Sequence, residues 1–297
     1  MTRILKGRPI ADEMKREAAG RAAALRGAGL APGLAVLMVG GDPASKIYTS
    51  SIEKAGGDVG VAVRVVELPE TAADEDVAGA LRTLDADPGV HGVIVQQPLP
   101  RGISPEVVEE LSPAKDVDGS TTRSAGLLAV GRPAFAPCTA SAVVELLRRS
   151  EIGTSGRHVV IVGRSPVVGR PLAQLLLRKG NDGDATVTVC HSRTEDLARH
   201  TLSADILVAA MGRREAIRGD MIREGAVVVD VGVNRVEDPE APKGRRVVGD
   251  VAFDEACERA SAITPVPGGV GSLTTALLLS NVVRAAGKDT EREGGKA

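Results

Sequence analysis

Two adjoining stretches decide the fold: Leu34-Ala35-Val36-Leu37-Met38-Val39-Gly40 and Pro43-Ala44-Ser45-Lys46-Ile47-Tyr48-Thr49-Ser50-Ser51-Ile52-Glu53-Lys54-Ala55. The first is an apolar run that ends at a glycine, which is typical of a buried strand. The second begins with proline and then contains no breaker, which predicts a helix. Tyr48 therefore lies in the first turns of a helix that follows a strand, where open α/β sheets place their ligand sites.

Tyr48 stands out because aromatic residues make up 1% of the 297-residue chain and it is the one tyrosine. Aliphatic side chains must therefore form the core, so a lone tyrosine is less easily explained as a routine core residue. The plain alternative is a tyrosine that bridges core and solvent. Its position after the strand favours a role in binding.

Composition excludes several classes of protein. A formal net charge of −2, with 26% charged and 43% hydrophobic residues, indicates a soluble globular protein and gives no electrostatic case for nucleic acid or an anionic membrane. No apolar run is long enough to cross a bilayer, and residues 1–7 lack the apolar core of a signal peptide. The three cysteines are widely spaced and contain no CxxC pair, which predicts reduced thiols, no metal site and a cytoplasmic location.

Strand-like and helix-like segments alternate outward from the opening unit. We predict helices over residues 9–30 and from a Thr71 cap to Leu84, and strands over 61–68 and 92–96. This β-α-β rhythm predicts a parallel sheet with helices on both faces.

The second half repeats the alternation. A helix capped by Thr139 is predicted to run to Arg149 and to cross to a second domain. Strands are predicted over residues 158–163, 186–190, 205–210 and 226–231, followed by a loop at 264–271 and a final helix over 273–286. The charged, glycine-rich tail after Gly287 is expected to fray. The second half is predicted to be Rossmann-like.

A dinucleotide site is predicted where Gly163 ends a strand and Gly169 opens a helix. The spacing differs from GxGxxG, so the glycine pair alone is more typical of an ordinary βα turn. The next strand ends in His191-Ser192-Arg193, with no acid to accept a ribose hydroxyl. Arg164 and Ser192 supply donors for a 2′-phosphate, with Arg193 as a further candidate, and this favours NADP over NAD. His191 is interpreted as a structural neighbour.

Together these motifs resemble the bifunctional methylenetetrahydrofolate dehydrogenase/methenyltetrahydrofolate cyclohydrolase family along nearly the whole chain. The matching segments, in order, are Val39-Gly40-Gly41-Asp42-Pro43-Ala44-Ser45, Val95-Gln96-Gln97-Pro98-Leu99-Pro100, Lys115-Asp116-Val117-Asp118-Gly119, Pro137-Cys138-Thr139, Gly163-Arg164-Ser165-Pro166-Val167-Val168-Gly169-Arg170-Pro171, Val247-Val248-Gly249-Asp250-Val251 and Thr264-Pro265-Val266-Pro267-Gly268-Gly269-Val270-Gly271.

The resemblance implies two α/β domains around a cleft: a parallel folate domain (1–140 plus 272–297) and a Rossmann-like NADP domain (141–271). It implies a homodimer and a folate substrate. It also implies catalytic and substrate-binding roles for Tyr48, which stacks on the pterin, for Gln96, which bonds the catalytic lysine, and for Asp118, which holds the pterin nitrogens. The implied cofactor contacts are Gly163, Arg164, Ser165, Gly169, Ser192 and Val233, and the implied wall near nicotinamide and folate is Pro265, Gly268 and Gly269.

The chain departs from the family pattern at the catalytic lysine, four residues after the tyrosine, where Ile52 stands. Lys54 cannot replace it, because six residues at about 100° each place Lys54 roughly 240° around the helix from Tyr48. Smaller departures are Ala140 and Ser272-Leu273, which affect the expected shape of the folate pocket.

Three functions follow from this departure. The first is an NADP-dependent methylenetetrahydrofolate dehydrogenase with weak or absent cyclohydrolase activity, because hydride transfer needs no proton transfer whereas hydrolysis does. The second is a bifunctional enzyme in which another group replaces the lysine. The third is a folate- or nucleotide-binding paralogue without turnover.

Overall fold

The structure is a computed structural model that describes residues 2–239 and 244–294. The chain divides into two compact units. The six-stranded unit comprises Met1–Ala11 and Thr139–Thr274, and the three-stranded unit comprises Asp12–Cys138 and Thr275–Ala297. The two units are named here after their sheets.

The elements alternate along the chain as predicted. The first half contains β1 (Arg3–Ile4), α1 (Gly7–Gly27), β2 (Gly33–Val39), α2 (Pro43–Val59), β3 (Ala62–Leu68), α3 (Asp74–Ala86), β4 (Gly92–Val95), α4 (Thr122–Ala129) and α5 (Cys138–Arg149). The second half contains β5 (His158–Val162), α6 (Gly169–Leu176), β6 (Thr186–Cys190), α7 (Leu197–Thr201), β7 (Ile206–Ala209), β8 (Val227–Asp230), β9 (Asn234–Glu237), β10 (Arg245–Val248), α8 (Phe253–Cys257), β11 (Ala262–Ile263) and α9 (Thr274–Gly294).

The three-stranded unit is a parallel sheet in the order β3-β2-β4. Successive side chains of a strand point to opposite faces, so the fully apolar β2 supplies two cores. Leu34, Val36 and Met38 pack in one core with α2 and α9, and the alternate residues of β2 pack in the other with α3. The sheet is therefore covered on both faces.

The six-stranded unit has the order β1-β11-β8-β7-β5-β6, and every neighbouring pair is parallel. From β5 the chain passes to β6 on one side and then to β7 on the other. Ligands of open α/β sheets bind at this kind of reversal, outside the carboxyl ends of the strands. The two-domain α/β fold with a Rossmann-like second half is thus confirmed.

The amino terminus contains a short strand at residues 3–4 that the sequence patterns do not predict. These residues form β1, where Arg3 N donates to Ser261 O (2.9 Å) and Leu5 N donates to Ile263 O (2.7 Å). A two-residue strand carries no periodicity, and its partner is remote in sequence. Residues 1–11 accordingly group with the six-stranded unit, while the other unit limits fall close to the predicted ones. The domain limits 1–140 with 272–297 and 141–271 stay a prediction.

Both predicted threonine caps are wrong. Helix α3 begins at Asp74 with Ala73 at its N-cap, and the Asp76 side chain accepts from Ala73 N (2.8 Å), so Thr71 lies outside it. Helix α5 already includes Cys138, which places Thr139 within the first turn. Helix α9 runs on to Gly294, beyond the predicted end at 286.

Within the described residues, no helix is long and apolar enough to span a lipid bilayer.

Candidate active site

Tyr48 lies on α2, directly after the carboxyl end of β2. The helix is anchored there because the Asp42 side chain accepts from Ser45 N (2.7 Å) and Ser45 Oγ donates to Gln97 O (3.2 Å). Tyr48 is half-buried and packs against the core that α2 shares with α9. One end of its ring is therefore packed, and the side chain remains accessible to a ligand.

Ile52 occupies the next turn of α2 and packs in the same core as Tyr48, with no exposed surface (0%). Lys54 is exposed. The helix therefore places the isoleucine, and not the lysine, on the tyrosine's side, as the spacing predicts. No ammonium group is presented beside Tyr48 by α2 at these two positions.

Gln96 follows the carboxyl end of β4, next to β2, and its backbone N donates to Leu37 O (2.9 Å). The side chain is buried, and within the described part of the chain its Nε2 has no hydrogen-bond partner. A buried donor without a partner costs about 1–3 kcal/mol. Such a group is suited to an acceptor that a ligand supplies.

Asp118 lies on the segment that runs beside β4, where Val93 N donates to Lys115 O (2.8 Å). The half-buried carboxylate accepts from Cys138 N (3.2 Å). Burial raises the pKa of Asp118, the nearby Asp116 adds to the rise, and the bonds with Cys138 oppose it. Tyr48, Gln96 and Asp118 thus all follow the same carboxyl edge of the three-stranded sheet.

Two residues to which the sequence analysis assigned no role support Asp118. Asn281 of α9 donates from Nδ2 to Val117 O (2.9 Å), immediately before Asp118. Cys138, whose backbone N bonds the carboxylate, is buried, and burial raises the pKa of its thiol well above the usual value. Both residues support Asp118 through contacts between segments that are remote in sequence, so local sequence patterns do not reveal these roles.

The turn after β5 brings backbone segments too close for side chains. Gly163 has a φ of +143°, and a Cβ there would lie 2.1 Å from Ala210 O. A Cβ at Gly169 would lie 2.0 Å from Gly163 O. Ser165 Oγ accepts from Val168 N (3.1 Å), which closes the turn at the start of α6. These glycines let the end of β5, the segment at Ala210 and the start of α6 pack closely, and a tight glycine turn at a helix amino terminus is typical of a pyrophosphate site.

The donors predicted for a 2′-phosphate surround this turn in the same unit. Arg164, Ser192 and Arg193 are exposed at the carboxyl ends of β5 and β6. The first two acids after β6 are Glu195 and Asp196; Glu195 is exposed, and Asp196 is engaged as the N-cap of α7, where it accepts from Arg199 N (3.3 Å). His191 Nδ1 accepts from Arg193 N (3.2 Å), a local bond that fits its interpretation as a structural neighbour.

Pro265, Gly268 and Gly269 lie in the loop after β11. Gly268 O accepts from Gly7 N (2.8 Å), and Gly268 has a φ of +106°. A Cβ at Gly7 would lie 2.0 Å from Gly269 O, so the start of α1 packs directly on this loop. The sequence motif marked the loop but not Gly7, because their contact joins opposite ends of the chain.

Val233 follows β8 and is 66% exposed, which is unusual for a valine. Its neighbours are fixed by two buried carboxylates, Asp230 and Asp250. Burial raises the pKa of Asp230 to about 6, against the opposing effect of its backbone hydrogen bonds. Asp250 lies in a motif quoted for the family resemblance, but the sequence assigned it no role.

No group of three or more histidine, cysteine, aspartate or glutamate side chains is placed to hold a metal ion among residues 2–239 and 244–294.

Comparisons with known proteins identify the family. Residues 5–118 match the family model of the tetrahydrofolate dehydrogenase/cyclohydrolase catalytic domain, and residues 137–290 match that of its NAD(P)-binding domain. The chain is 49% identical over 288 residues to Bifunctional protein FolD 1 of Myxococcus xanthus, covering 96% of this chain and 98% of that protein.

Solved structures agree with the sequence matches. The bifunctional FolD enzyme of Campylobacter jejuni superposes with a TM-score of 0.91 at 40% identity, covering 97% of this chain and 100% of that one. The FolD of Trypanosoma brucei, solved with NADP cofactor and inhibitor, gives a TM-score of 0.89 at 38% identity, covering 97% and 98%. The chain belongs to the tetrahydrofolate dehydrogenase/cyclohydrolase family.

Proposed function

We propose that this chain oxidises 5,10-methylenetetrahydrofolate to 5,10-methenyltetrahydrofolate by hydride transfer to NADP, with weak or absent cyclohydrolase activity. The observation that carries the proposal is the fully buried Ile52 beside Tyr48, at the position of the catalytic lysine in the family pattern. The rest of the predicted folate edge is retained.

The substrate would be held by the three-stranded unit. Tyr48 offers a half-buried ring on which a pterin stacks, and the Asp118 carboxylate accepts paired N–H donors of its ring and amino group. The unpartnered Gln96 Nε2 offers a donor to a substrate oxygen. Since these groups bind and orient, they suit a reaction that depends mainly on proximity.

The cofactor would be held by the six-stranded unit. When bound, NADP supplies the hydride acceptor. The tight glycine turn at Gly163 and Gly169, closed by Ser165, suits the pyrophosphate, and Arg164 and Ser192 suit the 2′-phosphate. The FolD of Trypanosoma brucei is described with NADP, which supports the same choice here. We assign Val233, Pro265, Gly268 and Gly269 to the nicotinamide surroundings.

The two family reactions respond differently to the missing lysine. Hydride transfer leaves a cation that the folate nitrogens stabilise, so no protein group has to move a proton in that step. Hydrolysis adds water and then opens a C–N bond, and both stages need a positioned proton-transfer group. Ile52 supplies neither a proton nor a charge. Loss of such a group typically costs about 10²–10⁴-fold.

Paired spectrophotometric assays on the purified protein test the proposal. We expect NADPH formation from methylenetetrahydrofolate, together with slow decay of methenyltetrahydrofolate relative to a bifunctional family member measured in parallel. Rapid hydrolysis would show that another group replaces the lysine. Nucleotide binding without NADPH formation would instead indicate a binding paralogue.

A Ser192→Asp variant tests the choice of cofactor. An added carboxylate at the end of β6 repels the 2′-phosphate and accepts a ribose hydroxyl, so kcat/KM with NADP should fall by about 10–100-fold, the value of one charged hydrogen bond. The ratio of kcat/KM for NADP to that for NAD is the measurement. Ser203→Asp, which adds the same charge where Ser203 Oγ donates to His200 O, is the control and should leave the ratio unchanged.

The homodimer that the resemblance implies and the cytoplasmic location that the cysteines and composition predict stay predictions.

A further inference from the structure

Two buried aspartates of the six-stranded unit are hydrogen-bonded to each other close to Val233, which we assign to the nicotinamide surroundings. Asp230 ends β8, and Asp250 follows β10. Asp250 has no exposed surface (0%) and Asp230 is 4% exposed. The family resemblance and the proposed function leave both without a role.

Asp250 joins two separate loops through four hydrogen bonds. Its Oδ2 accepts from Met211 N (2.6 Å) and Gly212 N (2.9 Å), in the loop that follows β7. Its Oδ1 accepts from Arg213 N (2.8 Å) and from Asn234 Nδ2 (2.9 Å). A carboxylate suits this position because all four partners are donors.

Asp230 holds the two segments from the other side. Its Oδ1 accepts from Gly232 N (2.9 Å) and Asp250 N (3.0 Å), and its Oδ2 accepts from Val251 N (2.9 Å). The backbone of Asp250 is therefore fixed by Asp230, while the carboxylate of Asp250 fixes the loop after β7.

The two carboxylates also pack against two glycines in a reciprocal way. A Cβ at Gly249 would lie 1.8 Å from Asp230 Oδ2, and a Cβ at Gly232 would lie 2.3 Å from Asp250 Oδ1. Each glycine thus lets the carboxylate of the opposite segment approach its backbone. The arrangement allows little displacement of residues 231–234.

We propose that Asp230 and Asp250 are positioning residues for hydride transfer, which hold Val233 in place against the nicotinamide by tying its backbone to the loop at residues 211–213. Val233 stands between Gly232 and Asn234, both bonded to the pair, and its side chain is 66% exposed. A rigid backbone that holds an apolar side chain in the open suits contact with a planar ring. The inference rests on the proposed assignment of Val233 to the cofactor site.

Asp250→Asn is the principal test, because the amide nitrogen would face backbone N–H donors. In the folded variant we expect the Kd for NADPH to rise about tenfold or more, since a charged hydrogen bond is lost on each affected loop. The Kd for 2′,5′-ADP, which lacks the nicotinamide, should stay within about twofold of the wild-type value. Comparing the two ligands separates a local effect at Val233 from general damage to the unit.

Asp205→Asn is the matched control, because Asp205 also accepts a backbone N–H, from His158 N (2.9 Å), but at the amino end of β7. It should lower the thermal stability and leave both Kd values unchanged. Asn234→Ala is the milder second variant, which removes one donor to Asp250 and should shift NADPH binding in the same direction by a few-fold.

Equal weakening of NADPH and 2′,5′-ADP, or loss of stability alone, would overturn the inference. Binding is measured without folate, so an absence of dehydrogenase turnover would count against the proposed function and leave this test intact.

Discussion

Replacing Ile52 with lysine is expected to raise the rate of methenyltetrahydrofolate hydrolysis by about 10²–10⁴-fold, the usual contribution of a positioned proton-transfer group. Residue 52 lies one helical turn after Tyr48 and packs in the same core. A lysine there would direct its ammonium toward the edge that Tyr48 and Gln96 share. Since these side chains are retained, the substitution restores a missing part of an otherwise present site.

The substitution has a cost in stability. Ile52 has no exposed surface, so a lysine must either extend its amine to the rim or lose solvation, which lowers its pKa. A polar group buried without full compensation costs roughly 1–3 kcal/mol in proteins. The variant should therefore unfold at a lower temperature yet keep its NADPH-forming activity, because hydride transfer does not use the amine.

Ile52→Met is the matched control, because it unbranches the side chain without adding a proton-transfer group. It should show no gain in hydrolysis. Both activities are measured on the same preparations, with folding checked by thermal unfolding. A folded Ile52→Lys enzyme with normal dehydrogenase activity and unchanged hydrolysis would show that more than the lysine is missing.

The parts of the fold that local sequence patterns determine were predictable. The apolar run at 34–40 predicted the buried strand β2, and Gly163 directly follows β5, the strand that the apolar run before it predicted. The opposite faces of Ile52 and Lys54 follow from helical periodicity. In each case a few neighbouring residues carry the information.

The parts that depend on remote contacts were not predictable in this way. Strand β1 is defined by its pairing with β11, near the other end of the chain. The roles of Asp230 and Asp250 depend on hydrogen bonds across three loops. An isolated aspartate in a motif does not indicate which N–H groups donate to it. Helix α3 begins at Asp74 because Asp76 bonds Ala73 N, a choice that competes with the threonine cap.

Asp118→Asn is expected to lower kcat/KM for methylenetetrahydrofolate by about 10²–10³-fold. A carboxylate accepts two N–H donors at once, whereas an asparagine turns one acceptor into a donor that opposes the ligand's own. Two charge-assisted bonds of roughly 1.5–3 kcal/mol each account for a loss of this size. The Kd for NADPH, measured without folate, should not change.

The thermal stability of the Asp118→Asn variant should not fall along with its kcat/KM, so the two measurements separate a loss of binding from unfolding. Burial raises the pKa of Asp118, so near neutral pH the ionised carboxylate is less favourable in the folded protein than in the unfolded chain. Asparagine removes that buried charge while its Oδ1 can still accept from Cys138 N, so the thermal midpoint should stay level or rise.

Asp85→Asn is the control, since Asp85 is half-buried in the same unit and accepts from Ser112 N (2.9 Å) and Ser112 Oγ (2.8 Å). Both bonds reach one oxygen that asparagine keeps, so that variant should retain normal folate kinetics and near-normal stability. A folded Asp118→Asn enzyme with wild-type kcat/KM would remove Asp118 from the folate site.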